Sequence, residues 1–72
     1  MDDPREKLQI LLDYWIAHNS EHKREFRDWA DKIASSSTEV AQQLQAAAAK
    51  MTAVSDELTK ARQALLKVER RQ

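Results

Sequence analysis

The chain has 72 residues with no glycine, no cysteine and one proline, so disulfides, thiolate metal sites and glycine-built phosphate loops are excluded. Twelve Lys/Arg offset twelve Asp/Glu, which argues against a nucleic-acid partner, for which a basic face is expected. No apolar run approaches the roughly 18 residues of a membrane span, and "MDDPREK" lacks the basic and apolar segments of a signal peptide; the expectation is one soluble, cytoplasmic domain over residues 1–72.

The first element is a helix over about residues 4–34. Pro4 is tolerated in a first turn, and Asp3 with Glu6 three residues on forms a capping box. Its apolar row runs Leu8, Leu12, Trp15, Asn19, His22, Phe26, Trp29 and Ile33, with gaps alternating four and three. That alternation is a heptad seam with two polar members, Asn19 and His22, at its centre.

A turn at about residues 35–36 follows, within "ASSSTEV". Serine hydroxyls compete for backbone bonds and favour caps, and Ser36 with Glu39 reads as a second capping box. The second helix spans about residues 37–70. Its row is Val40, Leu44, Ala47, Met51, Val54, Leu58, Ala61, Leu65 and Val68, uninterrupted by polar residues. The seam changes phase at the serines, which favours an antiparallel hairpin over one continuous rod. Facing levels then have residue numbers summing to 73, with Trp29 on Leu44, Phe26 on Ala47 and Leu12 on Ala61. A break within Thr52–Glu57 would instead give three helices, although the unbroken row argues against it. The C-terminal "KVERRQ" puts positive charge where a helix dipole favours it.

The expected fold is therefore all-α: a two-helix hairpin that dimerises into a four-helix bundle. Two helices of about 30 residues reach roughly 45 Å and leave apolar flanks open, with Leu11, Ile16 and Leu66 widening the sticky face. Residues 1–34 carry a charge of −2 and residues 35–72 a charge of +2, a mild help to pairing. A homodimer is the expected assembly, with a different protein partner as the other occupant of such a face and no membrane or nucleic-acid role.

His18 and His22 lie four residues apart on one stripe, and Glu21 and Glu25 are each three or four residues from a histidine. Two readings follow. Asn19 and His22 can be a polar layer that sets register. Alternatively His18 and His22, with Glu21 or Glu25, ligate Zn²⁺, Ni²⁺, Co²⁺ or Fe²⁺ at a dimer interface. The chain does not demand a cofactor, and no catalytic residue is assigned: the zinc-protease order HExxH is absent, and the serines at 35–37 have no histidine and acid beside them in sequence. Tyr14 is expected at the rim.

Trp15, Ile16, His18, Asn19, His22, Phe26, Trp29 and Ala30 together resemble the signature His-Trp-Ile-x-His-Asn-x-x-His-x-x-x-Phe-x-x-Trp-Ala of a small, poorly characterised prokaryotic helical family. The likeness covers about a quarter of the chain closely, and Tyr14 stands where the signature has a further histidine. The resemblance implies a helix rich in alanine, leucine and glutamate after the signature, a loose association with metal handling, and a weaker metal site here if that missing histidine is a ligand.

Overall fold

The computed structural model describes residues 3–70, with side chains through Val68. It holds two helices, α1 (Pro4–Ile33) and α2 (Thr38–Arg70), folded into an antiparallel hairpin. Part of the charged "KVERRQ" end lies outside the described residues.

Asp3 opens α1 in an extended conformation, and its Oδ1 accepts the Arg5 backbone N–H at 2.9 Å. That hydrogen bond, helped by the Arg5 side chain, holds the Asp3 carboxyl below its ordinary value of 3.8. The Glu6 side chain returns no bond to Asp3 among the described residues, so the expected box is half made. The connection uses no positive φ. Instead the Ile33 carbonyl accepts from both Ser36 N (2.9 Å) and Ser37 N (2.8 Å). Ser37 then caps α2, its Oγ accepting the Val40 N–H at 3.2 Å. The cap is thus one residue later than the Ser36 and Glu39 box that the sequence suggests. Ser37→Ala should cost about 1 kcal/mol, read as a lower Tm, while Ser36→Ala should leave the Tm unchanged.

α2 is unbroken through Thr52–Glu57. Thr52 and Thr59 donate their hydroxyls back to the Ala48 and Ser55 carbonyls, at 3.5 and 2.9 Å, which keeps these polar groups within the helix. Across the hairpin, Arg62 Nε lies 2.8 Å from Asp13 Oδ1. The contact is ionic rather than hydrogen-bonded, since the Nε–H has no aligned acceptor. Its residue numbers sum to 75, two from the expected 73, an offset an arginine side chain spans. Both side chains are about half exposed, so the pair marks the register and adds little stability.

The helices face each other through rows turned from those expected. Leu12, Asn19, Phe26 and Ile33 on α1, and Leu44, Met51, Leu58 and Leu65 on α2, are buried or half-buried as a seam requires. The companion rows differ. Gln9, Ile16, Lys23 and Ala30 take the inner place on α1, and Ala41, Ala48, Ser55 and Arg62 take it on α2. Leu8, Trp15 and Trp29 are left exposed, as are Val40, Val54 and Val68. Each helix has rotated by about one heptad position, roughly 50°. Ala30, Ala41, Ala48 and Ser55 favour this choice along the half of the hairpin nearer the turn, because interaxial distance falls with the size of the residues at the contact. Ala30 and Ala48 are each only 1% exposed.

The result is one layer thick, with Cα extents of 56 × 19 × 11 Å. Among the described residues only Leu12, Ala30, Ala41 and Ala48 are buried, and no large side chain is fully so.

Candidate functional site

Two antiparallel helices that rotate in the same sense about their own axes carry their displaced rows to the same side of the hairpin. Leu8, Trp15, His22 and Trp29 from α1 therefore share one face with Val40, Ala47, Val54, Ala61 and Val68 from α2. This face is apolar apart from His22 and runs the length of the molecule. Trp29 is 58% exposed, and Lys32 Nζ sits 4.6 Å from its ring centroid, partly shielding it.

Halfway along α1 a column of rings crosses this face at His22 and runs off its outer edge. Tyr14 and His18 stack at 5.3 Å between centroids, His18 and His22 meet edge-on at 4.3 Å, and His22 and Phe26 stack at 6.0 Å. The four are spaced by four residues, the interval that puts side chains one above another on a helix. Within the column, His22 Nε2 lies 2.9 Å from His18 Nε2, and His22 Nδ1 lies 3.1 Å from Glu25 Oε1. A carboxylate can only accept, so Nδ1 of His22 carries a proton and its Nε2 presents a lone pair when the ring is neutral. In that tautomer the lone pair accepts from His18 when His18 carries its proton on Nε2.

Of the residues singled out in the sequence, His18, His22 and Glu25 come together. Glu21 does not: it is exposed and joins no ion pair or hydrogen bond among the described residues. Asn19 is half-buried toward α2 and shares no hydrogen bond with His22, which turns the other way, toward His18. Sequence reasoning missed the Asp13–Arg62 pair and the stacking of Tyr14 on His18. The four-residue interval from Tyr14 to His18 was the available signal for the second.

Among the described residues no group of three or more His, Cys, Asp and Glu side chains is placed to hold a metal ion. One surface depression is lined by Ser20, Lys23, Arg24, Arg27 and Asp28, and another by Asp3, Glu6, Lys7 and Ile10. Both are shallow and mainly charged, unlike the concave apolar clefts that enclose small substrates. No described helix is long and apolar enough to cross a membrane.

Fold and face define a small all-helical hairpin with one side left open. The chain belongs to the family described as "Domain of unknown function (DUF8180)", whose match spans residues 8–65 and so takes in both seams and the ring column. It is 43% identical over 56 residues to a protein of Archaeoglobus fulgidus named "Uncharacterized protein", covering 78% of this chain and 90% of that relative. No solved structure matches the chain.

Proposed function

We propose that this chain is a self-assembling helical module in which two hairpins stack through their open faces into a four-helix bundle. The observation that supports it most is that a row of larger apolar side chains on each helix lies outside the hairpin's own contact. Trp15, Trp29, Val40, Val54 and Val68 are exposed, while three alanines and Leu12 are all that is buried among the described residues. A domain ordinarily needs two packed layers to bury its apolar surface, and the hairpin supplies one.

The area fits a second copy. A face of 56 by 19 Å covers on the order of 1,000 Å² per partner, in the range of stable protein–protein interfaces. Both rows also keep heptad spacing from end to end, as a knobs-into-holes contact needs. A two-fold dimer presents the same face twice, so the partner's surface needs no separate explanation. The bundle interior would be filled by the shared row and the outer row of each helix, the two rows that together form the seam expected from the sequence.

Sedimentation equilibrium tests this directly. At about 100 μM, a concentration at which an interface of micromolar affinity is filled, the expected mass is twice the 8.3 kDa of one chain. A mass of 8.3 kDa would overturn the homodimer and leave the face to a different protein partner.

A further inference from the structure

The geometry points to a transition-metal half-site at His18 and His22, oriented by Glu25 and completed by the same residues of a second copy. The inference rests on the dimer proposed above for its completion, and on the imidazole geometry alone for its first two ligands.

The two Nε2 atoms are 2.9 Å apart. Imidazole nitrogens bind Zn²⁺ at about 2.0–2.1 Å, so two of them on one tetrahedral ion sit roughly 3.3 Å apart. At the right angle of a square-planar or octahedral centre, the same bond lengths give about 2.9 Å. An ion beside the line between the two nitrogens therefore needs a change in their separation of about 0.4 Å or less, together with a turn of both rings that brings their lone pairs onto it. The i,i+4 spacing on an unbroken helix keeps both donors side by side at one level of α1. The Glu25 carboxylate on His22 Nδ1 is the usual outer partner of a metal-bound imidazole: it fixes the tautomer and raises the basicity of the ligating nitrogen. Glu25 is thus a positioning residue rather than a ligand. The ligand chemistry selects a divalent first-row ion that accepts imidazole, such as Zn²⁺, Co²⁺ or Ni²⁺, and not Mg²⁺ or Ca²⁺, which take oxygen.

Two nitrogens leave coordination positions open, and this chain supplies no third donor among the described residues. His22 lies on the open face and His18 on the row beside it, both at the mid-level of α1, which runs Pro4–Ile33. When α1 lies antiparallel on the copy's α1, two hairpins that overlap over their full length share that mid-level, and each pair meets its copy within about one helical turn. Four imidazoles then surround one ion inside the bundle.

The test is calorimetric titration of metal-free protein with Zn²⁺ alone and Co²⁺ alone, at about pH 7.5, where free imidazole is neutral. Sedimentation of the same samples before and after metal accompanies it. One ion per two chains is expected, with cobalt d–d absorption showing nitrogen ligation. His18→Ala with His22→Ala should abolish binding while circular dichroism stays helical. Glu25→Gln should weaken it by about 10-fold or more, whereas Glu21→Gln should not change it. A metal-free dimer that binds no ion tighter than about 100 μM overturns the site and leaves the dimer standing. Binding that survives loss of both histidines also overturns it. One ion per chain on a protein that stays monomeric overturns the shared site and the dimer together.

Discussion

Val54→Glu should convert the assembly to monomers while leaving the hairpin helical. Val54 is 45% exposed in the single hairpin and lies at the midpoint of α2, between Thr38 and Arg70. Within one chain the change is mild, because glutamate is a better helix former than valine and the site is open to water. At the centre of a stacked face, each copy would instead bury a carboxylate without a cation to meet it. Desolvating such a group costs several kcal/mol, so association should weaken by at least about 100-fold, equivalent to roughly 3 kcal/mol. The measurement is sedimentation equilibrium of wild type and variant at matched concentrations. An unchanged dimer mass with unchanged helicity would show that the chains associate through some other surface.

Ala48→Leu should have the opposite signature, damaging the hairpin itself. Ala48 is 1% exposed between the helices, and inserting a larger side chain into a filled contact costs about 1–3 kcal/mol. For a chain of this size that lowers the Tm by about 4–8 °C per kcal/mol. Its neighbour Ala47 faces the open side and is only half-buried. Ala47→Leu should leave the hairpin intact and hold or strengthen association. Comparing the two by thermal unfolding at one protein concentration separates the two faces of α2, because the Tm of a dimer moves with concentration. Equal losses from both substitutions would mean that the hairpin contact is not confined to the alanine side.

Those two alanines also show where sequence reading stops. The hairpin was legible because the apolar row changes phase at Ser35–Ser37 and because those serines can cap a new helix. The rotation of the helices was not. Each helix carries three adjacent rows able to face a neighbour: a shared row, a small or polar one and a large apolar one. Weighing rows by hydrophobicity favours the large one. Close approach favours the small one, and within a hairpin that contact wins. In the run Ala46 to Ala49, four identical letters take different environments, from exposed through half-buried to buried. Nothing in the letters says which one is inside until the partner helix is placed. The histidine pair was legible from its spacing. The choice between the two glutamates was not, since Glu21 stands three residues after His18 and Glu25 three after His22. Only the second carboxylate meets a ring nitrogen.

A body 11 Å thick at its Cα positions has little interior in which to store stability, and in the proposed dimer this ties its persistence to its abundance. With a second layer borrowed from another copy, dilution acts on the chain as a mild denaturant: every tenfold fall in concentration removes about 1.4 kcal/mol from the assembled state. Proteases that cut opened chains then clear the scarce protein faster than the plentiful one. For the proposed dimer, the steady-state level would therefore respond more than proportionally to the rate of synthesis.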